Sequence, residues 1–226
     1  MGFHRMAARE AGGEDGGDTQ PTHSMDTFRY IVALLLVTLI PAALFYWLLL
    51  HSFLPLWRRL GISASQYLLW AAVIVLTVAL SRWHGDLLRN DYGYQPMLAA
   101  VGIVFLAGAI VFRLQIERHL PWTVQLGLPE IDPAGHPQKL ITSGPYAHTR
   151  HPRYMQVLLA LAGWALLANY PAGYVAALLW VPLMLVIVRL EESELRRRFG
   201  LEYTDYADHV ARFWPHTPAA NHRVKA

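Results

Sequence analysis

Cysteine is absent from the 226-residue chain. Disulfides, thiolate metal sites and a cysteine nucleophile are therefore excluded. Charge is scarce too: 15% of residues are Asp, Glu, Lys or Arg, against about a quarter in an ordinary soluble domain. There is no Gly-x-Gly-x-x-Gly turn, no phosphate-binding lysine loop and no Gly-x-Ser-x-Gly elbow, and no two histidines stand in His-x-x-x-His spacing. A net charge of +3 gives no ground for a nucleic-acid partner. What fills the chain instead is apolar: 54% of residues are hydrophobic, with eight Trp and eleven Tyr, rings that settle at headgroup depth in membrane proteins.

The apolar residues come in long runs. Residues 1–26 are polar and Gly-rich and read as a disordered tail; residues 27–226 read as one all-α membrane domain. Phe28 to Leu50 is long enough to span, with Pro41 inside it. A second span must start near Ile62 to reach Leu80 with sufficient length, and a third covers Met97 to Phe112. Arg113 to Arg153 is polar and rich in Pro and Gly, and reads as an ordered loop, because a structureless stretch of this length is uncommon unless functional. Tyr154 to Val188 carries no charge at all. It is too long for one span and reads as a helical hairpin, turning at Asn169-Tyr170-Pro171 because proline opens a helix well and interrupts one badly. A charged C-terminal segment follows and is expected to be helical.

Five spans put the two termini on opposite sides. Arg58 and Arg59, then Arg113, Arg118, Lys139, Arg150 and Arg153, then the basic C-terminal tail, all fall on the side of the C-terminus. Cations favour the cytoplasm, so this face is predicted to be cytoplasmic. The long loop and the tail meet there, at the two ends of the hairpin.

Two clusters flank the hairpin. The first is Ser143-Gly144-Pro145-Tyr146 followed by Arg150-His151-Pro152-Arg153-Tyr154. Pro152 suits the first position of a helix whose free N–H groups, with Arg150 and Arg153, attract a carboxylate or phosphate; a basic membrane flank is the plainer alternative. The second is Arg189-Leu190-Glu191-Glu192, with Phe199-Gly200-Leu201-Glu202-Tyr203 and Tyr206 beyond it. Glu192 with Arg196, and Glu194 with Arg198, have the spacing of surface i,i+4 pairs. Glu191 lines up with Leu195, Phe199, Tyr203 and Tyr206, an apolar helical face bearing one carboxylate that needs a cationic partner, from the protein or from a ligand.

The ordered pair of clusters, over about Gln138 to Pro215, resembles the isoprenylcysteine carboxyl methyltransferase family and its phospholipid and small-thiol methyltransferase relatives. The resemblance implies S-adenosylmethionine as methyl donor and a lipophilic or small acceptor reaching the site from the membrane lipid. It implies a cofactor site lined by Gln138, Lys139, Leu140 and Ile141, by Tyr146, by His151, Pro152, Arg153 and Tyr154, and by Glu191 and Glu192. It also implies catalytic parts for Arg189, facing the substrate, and Glu191. Many members carry glycine where this chain has Gln156, a departure that bears on the acceptor. The five-span count is similar to that of small prokaryotic members, a resemblance that implies a prokaryotic cell membrane, with the C-terminus expected in the cytoplasm from the charge count. A nicotinamide-dependent sterol-type reductase and a non-catalytic membrane assembly factor are the competing readings.

Overall fold

The computed structural model describes residues 20–214, with side chains from His23 onward. Every regular element among them is helical. Helix α1 is Gln20–Ser52, α2 is Leu54–Arg82, α3 is the short His84–Leu87, and α4 is Pro96–Glu117. Two single turns follow, α5 (Trp122–Gln125) and α6 (Leu128–Ile131), then a 3-10 turn at Gly144–Ala147. Helix α7 is Pro152–Ala168, α8 is Pro171–Phe199 and α9 is Leu201–His209. Most of the tail expected over 1–26 lies outside the described residues; its end, from Gln20, opens α1 instead.

The predicted hairpin is present as α7 and α8. Asn169 ends α7 in the left-handed conformation (φ 56°) and Pro171 opens α8, the arrangement that leaves proline where its missing N–H costs nothing. Asn169 is tied in place by donating to Gly93 O at 2.9 Å and accepting from the Tyr174 hydroxyl at 2.8 Å. Within α2, Gly61 sits at φ 76°, ψ 170° and breaks the helix, a conformation that favours glycine. The continuous part then runs from Ile62, as the length argument requires, and reaches about 31 Å at 1.5 Å per residue. Four helices, α1 from His23, α2, α4 and α8, are long and apolar enough to cross a membrane, and the chain is an integral membrane protein. Helix α7, with 17 residues, is about 25 Å long, slightly short of a hydrocarbon core of about 30 Å.

Helices α1, α7 and α8 share a core that includes Val32, Leu36, Leu161, Trp180 and Ile187. Lipid is as apolar as these side chains, so close packing rather than water exclusion holds such helices together. The crossing of α4 and α7 shows this most directly. A Cβ on Gly102 would lie 2.7 Å from the Gly163 carbonyl oxygen, and one on Gly163 would lie 2.8 Å from that of Gly102. Gly163→Val is therefore expected to lower stability by about 1–3 kcal/mol, the usual cost of overpacking, seen as a lower melting temperature in detergent; an unchanged melting temperature would contradict this contact.

The two ends of the bundle are polar and distinct. At one end Arg29 is 1% exposed, stacks over the Tyr170 ring at 5.5 Å, donates to Ala168 O at 3.0 Å and pairs with Asp26 and Asp91. These contacts join the start of α1, the α3–α4 loop and the hairpin turn. At the other end Arg58 of α2 pairs with Glu194 of α8 and donates from Nε to Glu130 O at 3.0 Å. The α1–α2 connection, the long loop, the start of α7 and the end of α8 thus share one end, the grouping that the charge count requires. The loop expected over 113–153 is shorter than its sequence limits, because Arg113 to Glu117 belong to α4, where Arg113 Nε donates to Glu117 at 2.6 Å.

Candidate active site

Where the two ends of the hairpin meet, a cavity opens between α1, the long loop, α7, α8 and α9. Of the residues expected at a cofactor site, Gln138, Leu140, Ile141, Tyr146, His151, Arg153, Tyr154 and Glu191 line it. Four others do not. Lys139 faces a neighbouring cleft with His119 and His136. Pro152 is buried as the first residue of α7, and Glu192 is buried behind the wall. Arg189 is exposed and lies outside the cavity.

Glu192 is not the surface partner of Arg196 that its spacing suggests. It is 1% exposed and sits at the centre of a cationic knot. Arg212 grips it with both edges, Nε to Oε1 at 3.0 Å and Nη2 to Oε2 at 2.7 Å. Nε2 of His151 lies 3.2 Å from Oε1, Arg150 3.4 Å from the same oxygen and Arg196 3.5 Å from Oε2. A carboxylate leaves water only when its charge and lone pairs are met in this way. The knot fixes the chain after α9 against the start of α7, where Arg150 N donates to Ala211 O at 2.8 Å and Thr149 Oγ1 to Arg212 O at 3.0 Å. The fork also raises the Arg212 pKa, the hydrogen bonds to Glu192 leading. Glu194 likewise turns to Arg58 rather than to Arg198, and Arg198 turns to Glu130 at 3.4 Å.

Glu191 is 28% exposed in its side chain and faces the cavity. It accepts a hydrogen bond from the Tyr154 hydroxyl at 2.8 Å. Its alignment with Leu195, Tyr203 and Tyr206 survives on the cavity wall, whereas Gly200 ends α8 and Phe199 falls outside. Tyr206 donates to the Tyr146 carbonyl at 2.7 Å, so α9 holds the 3-10 turn that carries Tyr146. Burial pushes the Tyr206 hydroxyl up to about 12, with Arg150 pulling the other way. Burial also raises Tyr146 well above the usual phenol range, assisted by Glu191. Both rings are neutral walls at any physiological pH.

Sequence reasoning missed Trp47, Glu130 and Arg198 in the cavity and Arg212 behind it. Trp47 lies in an apolar span where a tryptophan has no local mark of function; here Arg153 stacks over its ring at 5.0 Å. Glu130 carried a faint signal, a single acid between Pro129 and Ile131 in the loop.

The cavity wall also holds buried polar atoms with no hydrogen-bond partner among the described residues: Glu130 Oε2, Gln138 Oε1, Arg150 Nε, Arg198 Nε and the Tyr203 hydroxyl. Unmet donors and acceptors in a protein interior are costly and few. Five such atoms cluster around this one cavity. Among the described residues no group of His, Asp and Glu has the arrangement of a metal site.

A family model described as phospholipid methyltransferase matches residues 97–202. The resemblance read from the two clusters is borne out, and the match supports a membrane methyltransferase in general terms. The matched stretch takes in both arms of the hairpin, the long loop, Glu130, Glu191 and Arg198, and leaves Trp47, Tyr203, Tyr206 and Arg212 to its flanks. The chain is also 27% identical over 152 residues to the cobalt-zinc-cadmium resistance protein CzcN of Cupriavidus metallidurans, an alignment covering 65% of this chain and 62% of that protein. The chain thus spans less than two thirds of that curated relative's length. No solved structure matches the chain.

Proposed function

We propose that the protein is an integral membrane methyltransferase that transfers a methyl group from S-adenosylmethionine to a lipophilic or small acceptor. The observation that carries this reading is the set of unmet donors and acceptors on a cavity that also presents the Glu191 carboxylate and the Arg153 guanidinium. S-adenosylmethionine supplies an ammonium, a carboxylate, an adenosine and a methyl group already activated by a sulfonium. The chain has a fitting group for each part. Glu191 is free to take the ammonium, its neighbour Glu192 being committed to three arginines and to His151. Arg153 and Arg150, at the positive N-terminal end of α7, suit the carboxylate. Gln138 and the chain through Ile141 suit the adenosine, and the rings of Tyr146 and Tyr154 suit a cationic sulfur.

With the donor already activated, what remains for the protein is to align the acceptor and keep water away. The aromatic and aliphatic wall of Trp47, Leu120, Leu140 and Leu195 serves the second need. Five crossings with the site and the C-terminus in the cytoplasm, where the methyl donor is made, complete the reading.

The test is transfer of label. Protein in vesicles prepared from total bacterial lipid extract, given methyl-labelled S-adenosylmethionine, is expected to move label into the lipid or small-molecule fraction. No label beyond that of protein-free vesicles would count against the proposal.

A further inference from the structure

Glu130 has no share in holding the methyl donor as assigned above, yet the fold goes to some length to place it. Its side chain is buried on the cavity wall, 7% exposed, and Oε2 has no hydrogen-bond partner among the described residues. The turn that carries it is fixed from two sides. Arg58 Nε donates to the Glu130 carbonyl and Arg198 Nη1 to the Pro129 carbonyl, each at 3.0 Å. Arg198 Nη2 also approaches Oε1 at 3.4 Å. One oxygen is therefore steadied, and the other is buried beside the cavity without a partner among the described residues. A carboxylate that served only to neutralise Arg198 would bring its better-placed oxygen to the guanidinium and would not need the second unpaired.

We propose that Glu130 receives the proton of the methyl acceptor, and that the acceptor is therefore an amine or a thiol rather than a carboxylate. The inference rests on the methyltransferase reading and narrows it. An amine or thiol carries a proton that must leave as its lone pair attacks, whereas a carboxylate brings none and would leave the unpaired oxygen of Glu130 without a part. For a thiol, the S–H proton passes to Glu130 Oε2, the sulfur pair forms the new bond to the methyl carbon, and the electrons of the broken bond stay on the departing sulfur as a neutral thioether. For an amine that arrives as an ammonium, one N–H proton passes to Oε2, the freed nitrogen pair takes the methyl group, and the product is again a cation. In either case Glu130 returns its proton to water before the next turnover.

The surroundings suit this part. Glu130 is faced by Arg198 and Glu191 from α8, Arg58 from α2, Tyr46 from α1 and Tyr154 from α7. Burial raises its pKa above the usual carboxylate value, Arg198 opposing and Glu191 assisting. A carboxyl so raised is a better match for proton transfer near neutral pH.

The experiment uses the full chain in phosphatidylethanolamine vesicles with methyl-labelled S-adenosylmethionine and three acceptor probes: the phosphatidylethanolamine amine itself, dithiothreitol, and the carboxylate of N-acetyl-S-farnesylcysteine. Label is expected on the amine or the thiol and not on the carboxylate. Glu130→Gln should reduce kcat for that probe about a hundredfold or more, the scale of lost general-base catalysis. It should also remove the acid-side fall of the wild-type pH profile and leave calorimetric binding of S-adenosylmethionine within about threefold. Glu130→Asp should restore part of the rate. Label on the carboxylate or on no probe, an unchanged kcat in Glu130→Gln, or a parallel loss of S-adenosylmethionine binding each overturns the inference. A wild-type protein that binds no S-adenosylmethionine overturns the methyltransferase reading first; one that binds and turns over equally well with or without Glu130 sinks this inference alone.

Discussion

Glu192→Ala is expected to destabilise the protein by about 3–5 kcal/mol, the cost of removing one partner from a buried ion pair. The loss should fall toward the lower part of that range. Arg212 and Arg196 are partly exposed and can return to water, and Arg150 keeps its bond to Ala207 O, whereas the buried Nε2 of His151 loses its partner. The substitution also loosens the chain after α9, which loses the Arg212 fork and keeps the bonds from Arg150 N, His151 N and Thr149 Oγ1. Melting in detergent should therefore move down sharply, and ligand binding should fail with it. Arg212→Ala, which leaves Glu192 its other contacts, should cost less, about 1.5–3 kcal/mol for hydrogen bonds to a charged group. Equal melting temperatures for Glu192→Ala and wild type would show that the knot is not a structural element.

The neighbouring acid should behave in the opposite way. Glu191→Gln keeps the shape of the side chain and an oxygen for the Tyr154 hydroxyl, so the fold should hold and the melting temperature should change little. Binding of S-adenosylmethionine should weaken about thirtyfold or more, because removing one side of a desolvated charge pair costs at least about 2 kcal/mol. The contrast between adjacent glutamates is the useful part. One loses stability and the other loses ligand. If both substitutions lowered stability alike and left affinity untouched, Glu191 would be structural and the ammonium would have to be held elsewhere.

The features legible in the sequence were those with local causes. The hairpin followed from a charge-free run and from Asn169-Tyr170-Pro171, whose turn chemistry acts within a few residues. The start of the second span at Ile62 followed from length alone and coincides with the Gly61 break. The pairing of the two clusters followed from counting spans, and the structure brings His151 and Tyr154 to Glu191 and Glu192. What stayed hidden had distant causes. The spacing of Glu192 and Arg196 describes a helix surface only while nothing covers it, and the residue that covers it, Arg212, arrives after α9 and a turn of chain. Glu194 and Arg198 were separated by Arg58 and Glu130, from a different helix and a different loop. Trp47 enters the site because α1 passes beside α8, a packing fact with no signature in the span itself. Arg189 was placed by its position before the acidic pair; on α8 the arginine side chain faces outward, away from the cavity that Glu191 faces.

The central proposal is that the cavity at the joined ends of the hairpin holds S-adenosylmethionine. Calorimetric titration of the detergent-purified full chain tests it most directly, with reduced nicotinamide dinucleotide phosphate run in parallel. Saturable binding of one S-adenosylmethionine per chain, no heat with the nicotinamide and a clear weakening in Glu191→Gln is the expected result. Binding of the nicotinamide in its place, or S-adenosylmethionine binding that ignores Glu191, would contradict it.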